Sequence, residues 1–227
     1  GKDNVATERG EVDVADVVIA NLPPANVAEL VERPLPAPLR GLQGPPEDGW
    51  GAFTLHLGVH EESVAETSVL HHQIIAGRPL SEGGSLFLSV SPLWDSSRAP
   101  AGRRAVTIST HTRLQPWWHV FHSDRDGYEE RKREYQQRLM RAAGRVFPQI
   151  ETSAELVLPG SPVTFRRYTG RSNGWVGGFP QTSLMRAWPP RLAPNLYLVG
   201  DSIFPGQSTA AVALGGLRVG DRIAAEH

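Results

Sequence analysis

The chain has 227 residues, 40% of them apolar and 21% charged, which is enough for a buried core and excludes both a disordered chain and a coiled coil. Basic and acidic residues nearly cancel, 23 against 24, so the overall balance points neither to nucleic acid nor to an anionic surface. There is no cysteine, which removes disulfide scaffolds, thiolate metal sites and cysteine nucleophiles, and no apolar run is long enough to span a bilayer.

The 23 glycines and 19 prolines predict many turns and long connections. Val14 to Ala20 is a β-branched run without alternation, expected as one strand covered on both faces and of the parallel kind. Asn21-Leu22-Pro23-Pro24 ends it, and Ala25 to Val31 has room for one or two helical turns. Glu32 to Gly51 reads as loop. Phe53, Leu55, Leu57 and Val59 alternate with Thr54, His56, Gly58 and His60, the pattern of a half-buried antiparallel strand. Ser68 to Ala76, Ser85 to Ser91 and Arg104 to Thr110 are expected as further strands, with a long ordered turn over Ser91 to Gly102.

Asp126 to Phe147 is the clearest helix. Tyr128, Tyr135, Leu139, Ala142 and Val146 make its apolar stripe, Asp124 or Asp126 caps it and Pro148 stops it. Glu151 to Leu158 is expected as a strand, Ser161 to Tyr168 as a helical turn and Ser172 to Gly178 as a glycine-rich loop. Leu196 to Val199 is a short buried-type strand that ends in Gly200-Asp201. A loop through Phe204-Pro205-Gly206-Gln207 then leads into a helix from about Ser208 to Ala225.

This last unit carries the chemistry. Ligands of open α/β sheets bind beyond the carboxyl ends of the strands, where Gly200 and Asp201 fall. Asp201 can accept hydrogen bonds from ligand hydroxyls, and Gly200 permits close backbone approach. The following helix aims its N-terminus, with free amides and partial positive charge, at the same place. Gly215, Gly216 and Gly220 inside that helix each cost about 1 kcal/mol against alanine, so they imply a close-packed neighbour. An ordinary strand–loop–helix with small packing residues is the competing explanation.

The run G-D-x-x-x-P-G-Q-x-x-x-A-V-A-L-G-G, Gly200 to Gly216, resembles the C-terminal flavin-binding signature of the phytoene desaturase-type carotenoid oxidoreductases, flavoproteins related to the amine oxidases. Ala15 to Asn21 resembles the strand by which such chains re-enter their FAD domain. His71-His72-Gln73-Ile74, Ser91-Pro92 with Asp95, Ser97, Ala99, Pro100 and Gly102, Ser161 to Phe165, and Gly174 to Gly178 resemble motifs of the substrate domain. Ser109-Thr110-His111-Thr112, Trp117-Trp118-His119 and Gly177-Gly178-Phe179-Pro180-Gln181 resemble the branch that desaturates or isomerises acyclic carotenoids, with C-3′,4′ desaturation the first expectation.

The resemblance implies an α+β fold: an antiparallel-sheet substrate domain with a helix, flanked by C-terminal pieces of a Rossmann-like FAD-binding α/β domain. The expected divisions are 1–25 (re-entry strand), 26–190 (substrate domain) and 191–227 (last strand and helix). FAD would be bound through Gly200, Asp201, Gly206, Gln207, Ser208, Thr209 and Ala210, with the latter three near the pyrimidine edge of the isoalloxazine. The family's N-terminal G-x-G-x-x-G fingerprint does not occur in this sequence. The chain begins at Gly1 and is therefore expected to be a portion of a longer enzyme, inactive without an N-terminal FAD-binding segment. The implied substrate is a lipophilic polyene, so peripheral membrane contact is expected; without a visible signal peptide, the default location is the cytoplasm. No catalytic residue is named. Trp94, Trp117, Trp118, Trp175 and Trp188 are candidate tunnel walls, although a tryptophan is more often core.

Three other readings compete. Gly200-Asp201-Ser202-Ile203 resembles the Gly-Asp-Ser block of an esterase family, but only His227 follows it as a base. The pairs His56/His60, His71/His72 and His119/His122 could ligate a metal, but none has a repeated acidic partner, and two strand positions four apart lie about 13 Å from each other. A non-catalytic module that binds an apolar ligand or a partner is the third.

Overall fold

Alternation and caps place the elements much as the sequence suggests, and the computed structural model describes residues 3–7, 9–32, 34–40, 49–64, 69–178 and 187–226. In chain order they are β1 (Asp3–Ala6), β2 (Val12–Ala15), β3 (Val18–Ala20), α1 (Pro24–Leu30), β4 (Trp50–His60), β5 (His71–Ile75), β6 (Ser85–Val90) and β7 (Arg103–Arg113). Then come α2 (Leu114–Ser123), α3 (Arg125–Ala143), α4 (Ile150–Ser153), β8 (Ala154–Gly160), α5 (Pro162–Thr169), β9 (Arg191–Ala193), β10 (Leu196–Leu198) and α6 (Thr209–Glu226). The α+β class holds, with two compact units: Gly1–Pro46 with Gly177–His227, and Glu47–Val176.

The second unit is an antiparallel five-stranded sheet, ordered β5-β6-β7-β4-β8. Phe53, Leu55, Leu57 and Val59 point to one face, as their alternation requires, and are buried with Leu86, Leu88, Val106 and Ile108. Helix α3 covers that face through Tyr128, Tyr135, Leu139, Ala142 and Ala143. Its start is capped by Asp124, whose carboxylate accepts from the Gly127 amide at 3.0 Å. The helix ends at Ala143, before Pro148, so Val146 falls outside it and is 41% exposed. Glu151 is not in a strand: Ile150–Ser153 is a helical turn, with Ile150 anchored in the core, and β8 starts at Ala154. Ser68 lies outside the described residues, and β5 runs from His71. Helix α5 forms as expected, with a capping box in which Ser161 and Thr164 exchange side-chain and backbone bonds.

Helix α2 has no counterpart among the expected elements. Its sequence, LQPWWHVFHS, carries a proline and several aromatics, which hide helical character from a propensity reading. Pro116 sits in the first turn, where a missing amide costs nothing, and burial of Leu114 and Trp117 supplies the rest.

In the other unit, β10 pairs in parallel with β3 and antiparallel with β9. The run Val14 to Ala20 is divided: β2 pairs with β1 in a separate hairpin, and only Val18–Ala20 joins the parallel sheet. The central strand β10 is the buried one. Its neighbour β3 lies at the edge, and Ile19 is 53% exposed instead of covered on both faces. Val27 of α1 and Leu39 pack into the same cluster as Leu196, Tyr197, Leu198 and Val219. Val27 and Leu39 thus pack within the unit made of Gly1–Pro46 and Gly177–His227.

Candidate functional site

The strands β3 and β10 run parallel and end side by side. The Val199 amide donates to the Ala20 carbonyl at 3.0 Å, so the next residues, Asn21 and Gly200, emerge together at the carboxyl edge. Gly200 has φ +107°, a conformation that L side chains rarely adopt, and a Cβ there would stand 2.8 Å from the Asn21 Oδ1. Asp201 follows, half-buried, with its Oδ1 3.4 Å from the Ser202 hydroxyl. Gly178 packs flat against this turn: a Cβ on it would run into the Asp201 carbonyl and the Ser202 amide.

From there Ile203 is buried, Gly206 takes φ +111°, and Gln207 returns beside Gly177. Ser208 is the N-cap of α6; its hydroxyl accepts from the Ala211 amide at 3.1 Å and its carbonyl from the Val212 amide at 2.8 Å. The amides of Thr209 and Ala210, which no helix can bond internally, belong to exposed residues at the positive end of an eighteen-residue helix. All seven sequence-selected residues therefore lie along one strand–turn–helix path: Gly200, Asp201 and Gly206 shape its turn, and Gln207, Ser208, Thr209 and Ala210 present its exposed end.

The far end of α6 is tied down by charge. Glu226 accepts from the Tyr197 hydroxyl at 2.6 Å and from the Arg222 Nε at 2.8 Å, with Arg191 3.4 Å away. The Tyr197 and Arg222 hydrogen bonds hold its carboxyl at about 2, well below the usual range, and the Tyr197 hydroxyl is raised in turn. This clamp joins β9, β10 and α6. Of the three helix glycines, only Gly215 has a close neighbour, Ile203; a Cβ at Gly216 or Gly220 would meet nothing within 4 Å. The expectation of a tight neighbour along the whole glycine row thus holds within this chain for one residue of three.

Asn21 and Gly178 join the turn without being among the seven residues expected there. A signal existed for Asn21: it follows Val18-Ile19-Ala20 just as Gly200 follows Leu196 to Val199. Gly178 stands in a glycine-rich motif, but its packing on Asp201 is a contact across more than twenty residues that the motif does not state.

The competing chemistries fare worse. Ser202 is 1% exposed and its carbonyl holds the Trp188 amide at 2.9 Å, so its hydroxyl is closed off from an ester. His227 lies outside the described residues. Among the described residues no three His, Asp or Glu side chains converge as a metal site. His60 meets Glu155 at 3.1 Å, but Arg103 already grips both oxygens of that carboxylate.

The tryptophans divide. Trp117 is wholly buried: its indole N–H donates to the Thr112 hydroxyl at 2.9 Å and its ring stacks on Phe53 at 5.4 Å. It is core, not tunnel wall. Trp94 is 83% exposed on a turn, while Trp118, Trp175 and Trp188 are partly buried. A better apolar surface is the outer face of the five-stranded sheet. Ile75, Phe87, Leu156 and Leu158, between 45% and 59% exposed, flank a central band of Thr54, His56, Thr107 and Ser109. Phe179, Pro180 and Gln181 lie outside the described residues.

No family model matches the chain. It is 32% identical over 182 residues to a protein named prolycopene isomerase, chloroplastic, from Daucus carota, an alignment covering 77% of this chain and 29% of that one. It is 30% identical over 129 residues to a rat all-trans-retinol 13,14-reductase, covering 51% of this chain and 20% of that one. The chain thus spans less than a third of the length of these curated relatives. An oxidoreductase of known structure from Methanosarcina mazei superposes with a TM-score of 0.54 at 16% identity, covering 97% of this chain and 49% of that one, a likeness of fold.

Proposed function

The chain belongs to the phytoene desaturase-type carotenoid oxidoreductases, and on that premise we propose that it is the C-terminal portion of an FAD-dependent enzyme acting on an acyclic carotenoid. The observation that carries this reading is the Gly200-Asp201 turn at the ends of two parallel strands, with the open N-terminus of α6 beside it. A flavin fits these residues. Asp201 would accept from its ribityl hydroxyls, the Thr209 and Ala210 amides would face its electron-rich pyrimidine edge, and Gly200, Gly206, Gln207 and Ser208 would shape the turn between. When bound, the isoalloxazine supplies a two-electron acceptor or donor.

This chain's own residues position and seal. The clamp at Glu226 fixes α6 on β10, and the outer sheet face, with Ile75, Phe87, Leu156 and Leu158, offers the polyene an apolar wall. Such a substrate resides in membranes, so the enzyme would meet the bilayer peripherally; no helix among the described residues is long and apolar enough to cross one. A further N-terminal segment would grip the rest of the FAD.

Of the two reactions, cis–trans isomerisation is supported by the printed name of the carrot relative, and C-3′,4′ desaturation by the motif wording alone. They differ in mass balance: desaturation removes a hydride and a proton, isomerisation removes neither. Incubating the whole enzyme with a poly-cis acyclic carotenoid should give a product with altered retention. Unchanged mass means isomerase; a loss of two hydrogens means desaturase. Asp201→Ala should weaken flavin binding by about tenfold or more, the loss of a charge-assisted hydrogen bond. A protein that binds polyenes but takes up no flavin would be a non-catalytic module and would overturn the proposal.

A further inference from the structure

We propose that the face formed by α2 and α5 is a docking surface for anionic phospholipid headgroups. The proposal rests on the carotenoid reading above, which brings the enzyme to a bilayer, and names where and through what chemistry. Between Glu155 and Asp201 the sequence contains no acidic residue, whereas α5 ends in Arg166-Arg167-Tyr168. The near-zero charge of the whole chain hides this local excess.

The cations are arranged on aromatic rings, not on carboxylates. The Arg166 guanidinium lies 5.4 Å from the Trp118 ring centre, Arg125 lies 3.8 Å from that of Phe121, and Arg167 lies 5.6 Å from that of Tyr168. None of the three has an ion pair among the described residues. The platform is fixed: the Trp118 N–H donates to the Asn173 carbonyl at 2.8 Å, its ring stacks on His122 at 5.6 Å, and Phe121 meets its edge. Tyr168 is 76% exposed, and Arg166 and Arg167 are exposed with it.

Cations on rings keep their charge available, and guanidinium is weakly hydrated and binds phosphate through paired donors. Tyrosine and tryptophan seat at headgroup depth, apolar body inward and polar tip to water. Charge complementarity therefore favours a phosphate-bearing lipid surface over a neutral one. Asp124 and Asp126 flank Arg125 and offset part of its charge, so Arg166 and Arg167 carry the surface.

The test is sedimentation of the full chain with vesicles of phosphatidylcholine alone or mixed with phosphatidylglycerol. Binding should require the anionic lipid and weaken with added salt. The double variant R166Q/R167Q should lose about fivefold per arginine in partitioning, with an unchanged circular dichroism spectrum. Tyr168→Ser should weaken binding further. Equal binding to neutral vesicles, or indifference to the arginine variant, would overturn the proposal. So would transfer of the whole effect to Trp94→Ala on the exposed turn after β6, or preferential capture by heparin. The vesicle readout involves neither flavin nor carotenoid, so its failure and the failure of the enzymatic reading are separate results.

Discussion

Replacing Trp117 by alanine tests whether that indole is core or ligand wall. The ring is fully buried, stacks on Phe53, contacts Tyr135 at 4.9 Å and lies under the Arg131 guanidinium, also at 4.9 Å. Its N–H joins a buried chain of bonds. Thr112 accepts from it and donates to Glu82 Oε2 at 2.8 Å, Tyr135 donates to the same oxygen, and the Arg113 amide donates to Glu82 Oε1 at 2.8 Å. Alanine leaves a cavity the size of an indole, which costs about 3–5 kcal/mol and lowers the thermal midpoint by roughly 10–15 °C in a chain of this length.

Phenylalanine keeps the stack and most of the volume but deletes the donor. Thr112 retains Glu82 as a partner, so that change should cost about 1–2 kcal/mol. The assay is thermal and urea unfolding followed by circular dichroism, with carotenoid conversion by the whole enzyme carrying the same substitution measured below the transition. Trp117→Phe should lower stability and leave conversion intact. Full stability combined with altered polyene selectivity would refute the core assignment.

Two further outcomes follow from the site. Gly178→Ala pushes a methyl into the Asp201 carbonyl and should cost about 1–3 kcal/mol; thermal unfolding checks it, and wild-type stability would contradict the contact, while on the proposed flavin reading FAD titration of the whole enzyme should show weaker uptake. The folded-state carboxyl of Glu226 titrates at about 2, below its ordinary 4.5, so its contribution to stability is complete above pH 4.5 and disappears as pH falls towards 2. Acid unfolding of Glu226→Gln, followed by circular dichroism, should be less steep across that interval; an identical profile would remove the clamp from the argument.

What the sequence determined by itself was everything written in local pattern. The alternation from Phe53 to Val59 specifies β4 and its buried face, because the side-chain period of a strand is two. Asp124 announces the start of α3, and Ser161 that of α5, because a cap and its amides lie within one turn. The Gly200 to Gly216 run locates the strand–turn–helix and, through its resemblance, the family. Tertiary structure decided what depends on distant partners. Trp117 and Trp118 are neighbours in sequence, yet Phe53 claims one for the core and Arg166 meets the other at the surface. Ile19 looked buried by composition and is exposed because its strand is an edge. Gly178 touches Asp201, and Glu226 reaches Tyr197, across separations that no periodicity encodes. Burial and ion pairing are properties of pairs, and a linear pattern states only one member of each.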